Sequence, residues 1–169
     1  GDVYKRQEMI RLKTAVLLAA SLKIGARLGG ASVEDADRLY DFGMHIGVAF
    51  QLKDDLLDVY GNAKVFGKNI GGDILCNKKT YMLIKALEHA NADQHNQLNS
   101  WINAETFQPA EKIAAVTELY DRIGVKAVCE NKILEYSNRA MESLAAVSIA
   151  EEKKEELKKI IENLIHREV

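Results

Sequence analysis

Two long stretches, 8–28 and 36–60, contain no proline and carry apolar residues at nearly every register of a helix, and few folds accept such segments. In the first, Ile10, Leu12, Val16, Leu17, Leu18, Ala20, Leu22, Ile24 and Leu28 leave little polar circumference. A helix of that pattern packs on several sides at once. The second runs through Ala36, Leu39, Phe42, Ile46, Ala49 and Phe50 to about Tyr60, with Ser32 and Asp35 spaced as a capping box before it. Gly29 and Gly30 separate the two. With one proline in 169 residues and 47% hydrophobic residues, the chain reads as an all-α, ordered, helical protein. The expected architecture is a helical bundle.

Its chemistry concentrates in Phe50–Asp58, FQLKDDLLD. Asp54, Asp55 and Asp58 fall within one helical turn, with Asp54 and Asp58 stacked at i and i+4. Like charges so placed repel, and a cation is needed to hold them. A solvated acidic face with lysine partners is the plain alternative for an isolated DDxxD. A hard divalent ion such as Mg²⁺ is the sharper one, because it takes oxygen ligands and is held by one or two carboxylates together with substrate phosphates. Lys13, Lys68 and Lys78, each beside turn or small residues, are the cations that a site for a polyphosphate would require. Gly43 and Gly47 each cost the helix about 1 kcal/mol against alanine. Close packing on a neighbouring helix and room for a substrate chain beside Gln51 are both open explanations.

The order of four motifs is more specific than any one of them. LKTA (12–15), FQLKDDLLD (50–58), GKNIGGD (67–73) and NKKTY (77–81) together resemble the C-terminal half of a trans-isoprenyl diphosphate synthase, the family of farnesyl and geranylgeranyl diphosphate synthases. The likeness covers the chain after residue 7. Residues 2–7, DVYKRQ, read as a translated library-adapter sequence, so the expectation assigns 1–7 to an artefact and 8–169 to the C-terminal part of one isoprenoid synthase domain.

The resemblance implies a prenyltransferase that condenses an allylic diphosphate with isopentenyl diphosphate by metal-assisted ionisation. It implies Mg²⁺, three ions in the family with one held by this part of the chain. Asp54, Asp55, Asp58 and Asp73 are the metal-site residues it points to, with Asp54 foremost. Lys13, Lys68 and Lys78 would bind diphosphate, and Lys13, Thr14 and Gln51 would face the reacting carbons with their dipoles. His45, His89, His95 and His166 share no ligand spacing, and His45 is read as structural. A homodimer in the cytoplasm is implied too. The family's first aspartate-rich motif and isopentenyl diphosphate site are missing from these residues, so the expectation is little or no turnover from these residues alone. Two rivals stay open: a class I terpene cyclase, and a non-catalytic regulatory subunit of a prenyl synthase.

The net charge of −2 carries no basic footprint for nucleic acid. No apolar run of about 18 residues offers a membrane-spanning helix. Cys76 and Cys129 lack metal or disulfide spacing and are read as reduced thiols. Further along, helices are expected around Trp101, from Pro109 to Tyr120 and from Val125 to Leu144, with Gly124 between the last two. A second capping box at Ser148 and Glu151 would start a terminal helix striped with Leu157, Ile160, Ile161, Leu164 and Ile165.

Overall fold

The computed structural model describes residues 14–62 and 70–166, with side chains described through Leu164. Among these residues there are helices and turns and no strand. The helices are α1 (Val16–Leu28), α2 (Val33–Tyr60), the single turn α3 (Gly72–Leu75), α4 (Tyr81–His89), α5 (Ala92–Asn103), α6 (Pro109–Ile123), α7 (Val125–Ala145) and α8 (Glu155–His166), with a 3₁₀ turn at Glu151–Lys153. None is long and apolar enough to cross a membrane. By contacts the chain divides into two compact units, 54–130 and 7–53 with 131–167, apart from the chain termini.

In the unit formed by 14–53 and 131–166, α1 lies against α2 through four small residues. A Cβ on Gly43 would stand 2.6 Å from the Ala19 Cα, and one on Gly47 would stand 2.7 Å from the Ala15 Cα. The close-packing explanation for both glycines therefore holds: each keeps clear a spot that the backbone of α1 fills. Ser32 caps α2 as expected, accepting the Asp35 N–H at 3.0 Å. Phe42, Ile46, Ala49 and Leu52 of α2 are buried, as are Ile133, Ala140 and Leu144 of α7 and Ile161 and Leu164 of α8.

The expectation that α1 is buried around most of its circumference is not met. Within α1 only Ala19 is buried, while Leu17 is 72% exposed and Leu28 is 86% exposed, with Leu18 and Ile24 also open. The apolar pattern reports surface that needs a cover, and the packed line on α1 is its small residues instead.

The second capping box does not form. Asp35 takes the Ser148 N–H at 2.9 Å, and Arg38 reaches the Ser148 hydroxyl at 3.4 Å, so Ser148 closes a tertiary contact with α2. That backbone donor is the chief reason the Asp35 carboxyl is held below its ordinary range, with Arg38 adding to it. Glu151 meanwhile meets Lys154 and Lys158, both at 2.8 Å, and α8 begins four residues later at Glu155. The buried Lys154 ammonium also donates to the Ala145 carbonyl at 3.0 Å, satisfying an end carbonyl of α7. In α8, Ile161 and Leu164 are buried but Ile160 is exposed, so the stripe is narrower than its sequence pattern.

The unit formed by 54–62 and 70–130 gathers the end of α2, α3 to α6 and the start of α7. Leu56, Val59, Ile74, Met82, Leu98, Val116, Leu119 and Tyr120 make its core. Thr80 caps α4, accepting the Leu83 N–H, and Asn91 with Gln94 forms a reciprocal capping box on α5. Pro109 opens α6 and Gly124 closes it, both as expected.

Candidate active site

Thr14 and Gln51 meet in the first of these units. Residues 14–15 are wound as a π turn leading into α1, a feature frequent at functional sites. The Thr14 hydroxyl lies 3.5 Å from the Gln51 side-chain carbonyl, as its donor. Placing Thr14 there depends on Ala15 packing on Gly47 one turn before Gln51, so the glycine sets the reach of the contact.

The carboxylates belong to the other unit and part ways on α2. Asp54 is exposed, Asp55 is 4% exposed and Asp58 is half-buried. Asp73 comes back onto Asp58 because the chain reverses at Gly71, whose φ of 89° suits glycine alone. The Gly71 N–H donates to the Asp58 main-chain carbonyl at 2.6 Å, and the Asp73 N–H donates to Asp58 Oδ2 at 2.8 Å. Lys78 then bridges two acids, with its Nζ 3.0 Å from Asp55 Oδ1 and 2.6 Å from Asp73 Oδ2.

Acidic excess sets the electrostatics. Burial pushes the Asp58 carboxyl above its ordinary range; the Asp73 N–H offsets part of this, and the charges of Asp73 and Asp54 add to it. Burial alone would lower the Lys78 ammonium, but its bonds to Asp73 and Asp55 outweigh that and hold it above the usual value. Among the described residues Lys78 bridges two of these four acids, Asp55 and Asp73. Oxygen donors of this kind suit Mg²⁺, and a half-shell of one or two carboxylates is its ordinary protein share. Among the described residues no three His, Cys, Asp or Glu side chains converge as a complete metal cage. The fit is to an ion that completes its shell with phosphate and water.

Lys13 and Lys68 lie outside the described residues. His45 stacks at 6.0 Å and a tilt of 42° on Tyr136, and burial lowers its imidazole, in keeping with a structural role. Two features escaped the sequence reading. Asn77 adopts a left-handed backbone, with φ 49°. Lys112, 1% exposed, donates to Asn77 Oδ1 at 2.7 Å beneath the Phe107 ring. A lysine at the head of the apolar series Lys112, Val116, Leu119 on α6 was the available signal. Lys112, Asn77, Lys78 and Asp73 line one narrow cavity with Val59, Tyr120 and Trp101.

The polyprenyl synthetase family model matches residues 2–120. A short chain isoprenyl diphosphate synthase from Methanothermobacter thermautotrophicus is 35% identical over 161 residues, covering 95% of this chain and 48% of that protein. A geranylfarnesyl diphosphate synthase from Aeropyrum pernix is 32% identical, covering 98% of this chain and 51% of its own length. Among solved structures, a geranylgeranyl pyrophosphate synthase from Corynebacterium glutamicum, complexed with isoprenyl diphosphate and magnesium, superposes with a TM-score of 0.84 at 31% identity, covering 95% of this chain and 46% of that one. The chain thus spans about half the length of the relatives it matches. With the family model, the relatives and the helical fold in agreement, this chain belongs to the polyprenyl synthetase family.

Proposed function

We propose that the protein acts in prenyl transfer, joining an allylic diphosphate to isopentenyl diphosphate with loss of pyrophosphate. The observation that carries this reading is the run of acids Asp54, Asp55, Asp58 and Asp73, in which Lys78 bridges Asp55 and Asp73 while Asp58 is pushed above its ordinary range, an arrangement that suits a divalent ion with a diphosphate. Mg²⁺, when bound, supplies positive charge to the departing pyrophosphate, the group on which charge builds as the allylic bond breaks. Asp54, exposed at the head of the motif, would hold the ion directly, with Asp58 and Asp73 behind it, their spacing fixed by the hydrogen bond from the Asp73 N–H to Asp58 Oδ2. Asp55 is buried and serves by holding Lys78, whose ammonium, with two donors on Asp55 and Asp73, keeps its third for a diphosphate oxygen. Lys13 and Lys68, which lie outside the described residues, are assigned to diphosphate binding by the motif resemblance alone.

Carbon chemistry falls to dipoles. Thr14, by donating to Gln51, turns a neutral carbonyl dipole toward a developing allylic cation without offering it a nucleophilic anion. The released pyrophosphate accepts the proton. The exposed apolar residues of α1 offer surface to a homodimer partner, and the exposed thiol of Cys76 fits a reducing cytoplasm.

The test is a thermal-shift titration with Mg²⁺ and pyrophosphate, singly and together. The melting temperature should rise with the pair and little with pyrophosphate alone, and Asp54→Ala should remove the joint effect. A full rise with pyrophosphate alone, or an undiminished one in Asp54→Ala, overturns the assignment.

A further inference from the structure

Lys112 is a buried cation with no part in the motifs. Its aliphatic stem is enclosed by α6 packing, and its ammonium lies 4.2 Å from the Phe107 ring centroid and 2.7 Å from Asn77 Oδ1. Removing an ammonium from water is costly unless something is gained at its end. The gain is at Asn77. The Asn77 amide is held at both ends, because its Nδ2 donates to the Ile102 carbonyl at 2.9 Å while its Oδ1 accepts from Lys112. Between these clamps the backbone of Asn77 sits at φ 49°, a conformation that asparagine tolerates but does not favour.

The left-handed residue has a local consequence. It turns the chain after α3 so that the Lys78 N–H returns to the Asp73 carbonyl at 2.9 Å, with the Asn77 N–H on the Ile74 carbonyl at 3.1 Å. Main chain and side chain of Lys78 are thereby both delivered to Asp73, and Nζ reaches Asp55 from the same turn. We propose that Lys112 is a positioning residue for diphosphate binding: by clamping Asn77 in the left-handed conformation, it sets the Lys78 ammonium at the carboxylate cluster. This deepens the function proposed above and rests on it for the identity of the ligand, though not for the clamp.

The test compares Lys112→Met, Lys112→Arg and Lys112→Met/Asn77→Gly with the parent chain by two readouts. One is hydrogen exchange at the Lys78 amide; the other is the affinity for Mg²⁺ with pyrophosphate. Lys112→Met should speed Lys78 exchange about tenfold relative to amides of α5 and weaken the joint affinity severalfold, whereas Lys112→Arg, which keeps a cationic donor, should retain most of both. Adding Asn77→Gly should restore both, because glycine takes the left-handed conformation without a clamp. If Lys112→Met fails to fold, Asn77→Ala removes the same bond from the turn side and carries the same expectation for both readouts. Unchanged Lys78 protection, or a loss spread evenly over α5 and α6 that glycine does not rescue, overturns the proposal. If the parent chain takes up no Mg²⁺ with pyrophosphate, the functional reading falls while the exchange data still decide the clamp.

Discussion

Three glycines lie inside helices of one unit, and the structure assigns them opposite responses to the same substitution. Gly25, in α1, has nothing within 4 Å of an added Cβ. Gly25→Ala should therefore stabilise by about 0.5–1 kcal/mol, the propensity difference between the two residues. Gly47 presents a different case: the new methyl would stand 2.7 Å from the Ala15 Cα and 2.8 Å from its Cβ, well inside contact distance. The obstruction is backbone and cannot be cleared by a rotamer change. Overpacking of this kind costs about 1–3 kcal/mol, and subtracting the propensity gain leaves a net loss of up to about 2.5 kcal/mol for Gly47→Ala. The propensity gain is common to both, so the two variants should differ by the overpacking cost alone, about 1–3 kcal/mol, or about 0.5–1.5 M in urea midpoint at a slope of about 2 kcal/mol per M. Gly43→Ala, facing the Ala19 Cα at 2.6 Å, should follow Gly47→Ala. The loss should also reach the site, since moving Ala15 carries Thr14 away from Gln51. Urea denaturation by circular dichroism at 25 °C measures all three. If Gly47→Ala were as stabilising as Gly25→Ala, α1 would not pack on α2 as described, and the geometry assigned to Thr14 and Gln51 would go with it.

The Lys78 bridge is a second test: Lys78→Met takes the 3.0 Å ion pair from the buried Asp55 and should cost about 1–3 kcal/mol, less than a fully buried pair because Lys78 is 38% exposed. Because the folded state raises the Lys78 pKa above 10.5, that stabilisation is fully present below pH 10.5 and is lost as pH rises through the folded value, so melting curves of parent and variant should converge in strong alkali. Glu151 gives the opposite sign. Its carboxyl, held down to about 2 by Lys154 and then Lys158, adds stability above its ordinary value of 4.5, lost as pH falls toward 2. Glu151→Gln should flatten that part of the acid limb, and a limb of unchanged steepness would show that these bonds do not persist in solution.

Periodicity and punctuation determined the helices. The run without proline that ends at Tyr60, the Ser32 cap, Pro109 and Gly124 act within a few residues of themselves, and each appears where the sequence placed it. Motif order likewise brought Asp73 and Lys78 to the DDxxD turn, because a glycine-rich reversal followed by a capped helix leaves the chain few other paths. What depends on distant partners was not legible. Apolar residues on α1 did not say which side would be covered, and it is the small residues Ala15 and Ala19 that found neighbours. Asp54 and Asp55 are adjacent identical letters, yet one turns to solvent and the other into an ion pair, a choice made by where Lys78 arrives. Ser148 with Glu151 had the spacing of a cap, but Asp35, 113 residues away in sequence, took the Ser148 N–H. The burial of Lys112 is of the same kind. A lone lysine reads as solvated until Asn77, Ile102 and Phe107 are folded around it, because the free energy of a buried charge is set by what it meets and that is a property of tertiary structure alone.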